Sequence, residues 1–351
     1  MSRQIHALRA LAIVLLSLLI AAAPVGAQES VEQFYRGKTV NIVVGSAVGG
    51  GFDGYARMVA RYLSKYIPGN PVVVFQNLPG AGSNKAASFV ALQGPKDGTT
   101  IGAIQPGAVV QPLVSDQSVP HDPSKFIMLG SGSYSVYLCM LRSDAPAKSF
   151  EETFTKEVII GTSGEGSTLR EMAILLTNVL GAKLRLVSGY AGSREVLIAI
   201  ERNEVHGICG MGWSSIAMQQ RDWIRNGTLK IVAQEDLKGH PEVNKMGVPL
   251  TISFAKTQED RQVMEMMYTQ SLFGRPYVLP PETPPDRVAA LRQAFMMALQ
   301  DKELLAEAER SGFDIGPMSG EDLQALVAKL YALPPKVIER AKQSLIYKPR
   351  N

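Results

Sequence analysis

Glycine loops at the starts of helices are the residues of this chain best placed to do chemistry. Gly49-Gly50-Gly51, Gly80-Ala81-Gly82 and Gly164-Glu165-Gly166 each follow an apolar run and precede a helical pattern. A helix start leaves backbone N–H groups without intrahelical partners, and with the positive end of the helix dipole they suit a carboxylate or a phosphate. Glycine lets such an anion come close because no Cβ stands in the way. One loop of this kind reads as a tight turn. Three at corresponding strand ends, spread over two halves of a chain, predict a shared anion cleft. Asp53, at the start of the first of these helices, can cap it or reach the ligand. Tyr190 and Trp213 follow later strand ends and can serve as apolar walls or as core.

Catalytic patterns are incomplete by comparison. Gly49, Gly51 and Gly54 satisfy the dinucleotide fingerprint, but that site also needs an acid at the end of the second strand, where this chain has Gln76 and Asn77. Gly161-Thr162-Ser163-Gly164 resembles a nucleophile turn, yet Glu165 stands where the second flanking glycine belongs, so Ser163 reads as a hydrogen-bond donor. His121, His206 and His240 show no paired metal-ligand spacing, and His206 at a strand edge reads as structural. No catalytic residue, metal or cofactor is therefore expected. Arg57 lies four residues after Asp53 and is expected to pair with it. Arg170 and Arg194 lie just inside second-half helices, where a cation opposes the dipole; simple solvent exposure accounts for such residues more often, and a bound anion would offset the cost. Cys139 and Cys209 read as two buried thiols, with one bridge as the alternative, since spacing does not say whether they meet.

The elements that must position these loops recur along the chain. Strands at Thr39–Val44, Val72–Phe75 and Thr100–Ile104 alternate with helices. After an extended stretch from Phe126 to Leu141 a second round follows, with strands at Val158–Ile160, Leu184–Val187, Val205–Cys209 and Leu229–Ala233. Alternation twice over predicts two α/β lobes with mainly parallel sheets. Strand-like Ser271–Val278 returns the chain to the first lobe, and the remainder is helical, with starts at Pro284-Pro285-Asp286 and Ser319-Gly320-Glu321-Asp322. The second lobe is then an insertion joined by two crossings, the layout of a hinge.

Composition agrees with a globular chain: 46% hydrophobic and 19% charged residues exclude both a disordered acidic tail and a many-pass membrane protein. Arg3, His6 and Arg9 precede an apolar stretch from Leu11 to Ala23, and Val25-Gly26-Ala27 offers small residues, so residues 1–27 read as an export signal cleaved after Ala27. Of the 36 basic residues, all but Arg3 and Arg9 then face 32 acidic ones, a near balance that excludes a nucleic-acid scaffold. The expected compartment is the periplasm.

Phe34-Tyr35-Arg36-Gly37-Lys38-Thr39-Val40, Gly49-Gly50-Gly51-Phe52-Asp53 with Ala56-Arg57, Asn77-Leu78-Pro79-Gly80-Ala81-Gly82-Ser83 and Pro95-Lys96-Asp97-Gly98-Thr99 form an ordered series. With Gly164-Glu165-Gly166-Ser167-Thr168, Tyr190-Ala191-Gly192 and Gly274-Arg275-Pro276, the series resembles the extracytoplasmic solute receptors of tripartite tricarboxylate transporters, the Bug or TctC family. It departs from the family pattern at Val48, at Leu169-Arg170 and at His206.

The resemblance implies a type II periplasmic binding protein fold, a Venus flytrap that closes on a small organic carboxylate. It further implies a monomer that delivers this ligand to a large and a small integral membrane subunit, without catalysis. Residues 28–138 and 272–351 would form lobe 1, and 139–271 lobe 2. Its loops map onto Gly49, Gly50, Gly51 and Asp53, onto Asn77 and Gly80 to Ser83, and onto Ser163 to Thr168. The candidate ligand contacts are therefore Gly49, Gly50, Gly51, Asp53, Asn77, Gly80, Ala81, Gly82, Ser83, Gln105, Ser163, Gly164, Gly166, Ser167, Thr168 and Tyr190. Readings of other classes are a sensor that presents its closed form to a membrane kinase, and an exported α/β hydrolase or Rossmann oxidoreductase using the same cleft.

Overall fold

The structure of the chain, a computed structural model, describes residues 29–115 and 119–347. The expected export signal and its cleavage point lie outside the described residues. Helix α1 (Val31–Tyr35) leads into β1 (Thr39–Val44), whose Val40, Ile42, Val43 and Val44 are all buried. A strand covered on both faces needs such a continuous apolar run. The chain then winds through α2 (Gly51–Leu63), β2 (Val72–Asn77), α3 (Asn84–Leu92), β3 (Thr100–Ala103) and α4 (Gly107–Val114).

The extended stretch expected from Phe126 to Leu141 is two strands in different sheets, β4 (Ile127–Ser131) and β5 (Tyr137–Arg142), and the residues between them make the first crossing. The second round comprises β6 (Val158–Gly161), α5 (Thr168–Leu175), β7 (Leu184–Val187), α6 (Ser193–Glu201), β8 (Gly207–Gly212), α7 (Trp213–Arg225) and β9 (Leu229–Glu235). Helices α8 (Pro241–Lys245) and α9 (Gln258–Phe273) follow. The strand expected from Ser271 begins only at β10 (Pro276–Leu279), because α9, capped by Thr257, runs on to Phe273 and stops where Gly274 adopts φ 53°. The remainder is α10 (Pro285–Ala298), α11 (Lys302–Ser311), β11 (Met318–Ser319), α12 (Gly320–Tyr331) and α13 (Pro335–Ser344).

These strands form a six-stranded sheet, β11-β4-β10-β3-β1-β2, and a five-stranded sheet, β7-β6-β8-β5-β9. Strands wound with helices pair in parallel, β1 with β2 and β3, and β6 with β7 and β8. Strands that adjoin a crossing pair antiparallel, β10 with β3 and β4, and β5 with β8 and β9. The reason is directional: a chain arriving from the other lobe enters at the end where the wound strands finish. The two sheets therefore turn the ends of β1, β2, β6 and β8 toward one gap.

Separate cores lie behind the gap, one around Ile42, Met58, Leu63 and Phe295, another around Leu138, Ile200 and Ile216. A third runs beneath both sheets through α4, α9 and β6. Cys139 on β5 and Cys209 on β8 are joined by a disulfide, which resolves the two readings of that pair. The C-terminal end, expected in the first lobe, reaches the second sheet. Asn178 Nδ2 donates to Ser344 O and Ile346 O, and the Leu186 amide donates to the Tyr347 hydroxyl.

Candidate functional site

Between the lobes lies a cleft of about 380 Å³, within the roughly 300–1,000 Å³ that small-molecule sites occupy. Its first wall is the loop between β1 and α2, where Ser46, Gly50, Gly51 and Phe52 face the gap. Gly50 is the N-cap of α2 and has no side chain to satisfy the free amides. The loop is braced from behind. Asp53, only 2% exposed, accepts from Gly49 N at 2.8 Å, Arg57 Nε at 2.9 Å and Asn77 Nδ2 at 2.8 Å. Asn77 also donates to Ser46 O and accepts from Arg57. Burial pushes the Asp53 carboxyl up, but the bonds from Arg57, Gly49 and Asn77 outweigh it and hold the group below the usual carboxylate range.

The second wall is the loop after β2. Four successive residues have positive φ: Gly80 at 134°, Ala81 at 45°, Gly82 at 58° and Ser83 at 80°. Their backbone forms a concave surface suited to an anion. A Cβ on Gly82 would lie 2.0 Å from the carbonyl carbon of Gly166, so this loop meets the opposite lobe backbone against backbone. Ser83 Oγ accepts from Gln105 N, and both residues line the cleft.

The second lobe supplies Ser163, Gly164, Ser167 and Thr168 after β6. Gly166 is turned away, its amide donating to Glu171 Oε1 at 3.0 Å. Burial pushes the Glu171 carboxyl up to about 7 against the pull of that amide and of Arg170. Tyr190 forms a side wall, with its hydroxyl on Glu204. Gly189 to Glu195 begin α6 over Gly192, and Gly210 to Gly212 with Ser215 begin α7 over Gly212; neither N-cap carries a side-chain bond. Glu235, wholly buried, accepts from Gly210 N at 2.7 Å, and burial raises its carboxyl to about 8.

Twelve of the sixteen sequence-derived contacts thus line one cleft: Gly50, Gly51, Gly80, Ala81, Gly82, Ser83, Gln105, Ser163, Gly164, Ser167, Thr168 and Tyr190. Gly49, Asp53, Asn77 and Gly166 do not. Asp53 and Asn77 turn inward to bind one another, and the Gly49 and Gly166 amides are taken by carboxylates of their own lobe. Sequence reasoning missed Ser46 and Phe52, the α6 start apart from Tyr190 and Arg194, and the α7 start at Gly210–Gly212 and Ser215. The last carried the same signal as the loops that were found, glycines at a strand end. Arg194 lines the cleft, Arg170 sits 3.9 Å from Glu171, and Trp213 is buried against His240.

Electrostatically, the side chains lining the cleft include one cation, Arg194, and one acid, Glu195. The helix starts add positive potential: α2, α3, α6 and α7 open on the cleft without a side-chain cap, the first amides of α3 being taken by Ala81 O and Gly80 O, while α5, which also starts there, is capped by Ser167. Helices α1, α8, α9, α11 and α12 are capped by Ser30, His240, Thr257, Asp301 and Ser319, whereas α4, α10 and α13 follow Pro106, Pro284 and Pro334 without a side-chain cap. None of the three described histidines lines the cleft: His121 bonds Ser88, His206 accepts from Ile159 N, and His240 caps α8.

No family model matches the chain, and no curated protein does. Solved structures do. The periplasmic binding protein BugD superposes with a TM-score of 0.68 at 20% identity, over 88% of this chain and 98% of that one. Rpa4515 of R. palustris, solved with adipate, superposes at 0.67 and 22%, over 87% and 97%. MatC of Rhodopseudomonas palustris, solved with malate, superposes at 0.66 and 20%, over 86% and 99%. At these identities the likeness establishes the fold: the chain has the two-lobed architecture of periplasmic binding proteins.

Proposed function

We propose that this chain is a periplasmic receptor of the Bug or TctC type, which captures a small organic carboxylate between its lobes. In this reading it hands the acid, as a monomer, to a membrane transporter of one large and one small subunit, without chemical turnover. The observation that carries the reading is the convergence of uncapped helix starts from both lobes on one cleft. Helices α2, α3, α6 and α7 start on the cleft without a side-chain acceptor, while α5, which also starts there, is capped by Ser167. One helix start favours a nearby anion by about 0.3–1 kcal/mol, and by up to about 2 where partly buried. The neighbours with bound malate and adipate support the same ligand class.

Closure follows from differential contact. A carboxylate held by one lobe alone meets half of these amides, so ligand shifts the open form toward the closed one. The test is calorimetry and thermal melting of the secreted chain with malate, adipate, citrate and benzoate. A true ligand raises the melting temperature by several degrees, since a hundredfold excess over Kd stabilises the fold by about 2.7 kcal/mol, and it is recovered unchanged. Absence of any carboxylate binding, or recovery of a product, would overturn the proposal.

A further inference from the structure

A buried charge without an ion pair among the described residues lies behind the cleft rather than in it. Arg275, 2% exposed, sits at the second crossing, its backbone tied to the first by bonds with Ser131 Oγ and Gly132 N. Its guanidinium bridges the lobes. Nη1 donates to Gly51 O at 3.0 Å, and Nη2 donates to Ser214 Oγ at 3.0 Å and Ser215 Oγ at 3.3 Å. The rings of Phe52, Tyr55 and Phe313 surround it, with centroids 4.9, 4.6 and 5.5 Å away. Nε is buried without a partner. Among the described residues no carboxylate forms an ion pair with it; Asp314, the acid that senses its charge, faces His240 at 3.8 Å.

Burying a guanidinium without a counter-charge is costly, and aromatic faces and hydroxyls offset only part of that cost. Two of its partners, Gly51 and Ser215, line the cleft. Ser215 Oγ accepts from the guanidinium, so its own proton remains to be donated, and a hydroxyl polarised by a cation is a stronger donor. We propose that Arg275 is the fixed charge of the anion site and acts through the Ser215 hydroxyl, which binds the ligand's carboxylate head at the junction of α2 and α7. Arg275 is thus a positioning residue, and the missing counter-ion is the guest itself. This inference rests on the carboxylate-receptor reading, and it deepens that reading by naming which residues demand an ionised head group.

The experiment takes the tightest binder among malate, adipate, citrate and benzoate and compares it with its uncharged amide, in the wild type and in Ser215→Ala, Arg275→Lys and Arg275→Met. Calorimetry gives the ratio of the two affinities, while circular dichroism and melting report the fold. Ser215→Ala should weaken the carboxylate by about 10- to 100-fold and the amide by less than about threefold. Arg275→Lys, which keeps the charge, should retain part of the preference for the carboxylate, and Arg275→Met should lose it. A general loss of packing would weaken both ligands alike. Ser215→Ala with the wild-type ratio overturns the inference even if the Arg275 variants fail to fold. If the wild type binds no carboxylate, the receptor reading falls and takes this inference with it.

Discussion

Gly82 has neither the space nor the backbone angle for a side chain. At φ 58°, with Gly166 of the facing lobe 2.0 Å from where a Cβ would stand, Gly82→Ala obstructs the approach of the lobes. The chain should fold with a stability loss of about 1 kcal/mol. Its carboxylate affinity by calorimetry should fall tenfold or more, because the closed form is no longer reached. The buried carboxyls make a second prediction. Glu171 and Glu235 titrate near 7 and 8 in the folded chain against an ordinary 4.5. Folding therefore takes up protons between those values, and stability falls as pH rises through that window. Glu235→Gln should flatten the decline, so that its unfolding free energy in urea gains on the wild type from about pH 5 to about pH 8, by up to a few kcal/mol at about 1.4 per unit. Asp53 has the opposite sign: its contribution is present at neutral pH and lost as pH falls below the ordinary carboxylate range. Residue types near the cleft were legible in the sequence, but their direction was not. Asp53 and Asn77 look like ligand contacts until Arg57 and the Gly49 amide are seen to claim them.

At the scale of elements, the helix starts around the cleft trade intrinsic stability for open amides. Filling one should reverse the trade. In Gly50→Asp the new carboxylate accepts from the first-turn amides of α2. The unliganded protein should gain a few tenths of a kcal/mol in urea unfolding, while carboxylate binding drops below detection because an internal anion occupies the site. Gains in both quantities would contradict the role assigned to this end of α2. Strands such as β1 were readable because a largely apolar run, broken only by Asn41 after Thr39, ends at glycine. The end of β8 was not, since Gly207, Gly210 and Gly212 break the run and pairing with β5 and β6 holds the strand extended. The end of α9 was misjudged for a related reason: Ser271 to Phe273 suit either a strand or a helix, and the Thr257 cap that decides the matter lies far upstream.

At the scale of the molecule, the alternation of strand and helix in two rounds was enough to foresee two lobes and two crossings. The contacts of Asn178 with the C-terminal end were not foreseeable, because a single polar side chain leaves no periodic trace. The Cys139–Cys209 bridge joins positions 70 residues apart within the second sheet. Closing a loop of that length stabilises by about 4 kcal/mol on chain-entropy grounds. The double substitution Cys139→Ala with Cys209→Ala should lower the urea midpoint accordingly, and adding reductant to it should change nothing further. The meeting of Gly82 with Gly166 has a wider consequence. Since that seam admits no side chains, it is closed to innovation: descendants of this protein that come to prefer a different guest must write the change elsewhere, on the rim formed by Phe52, Tyr190 and Arg194.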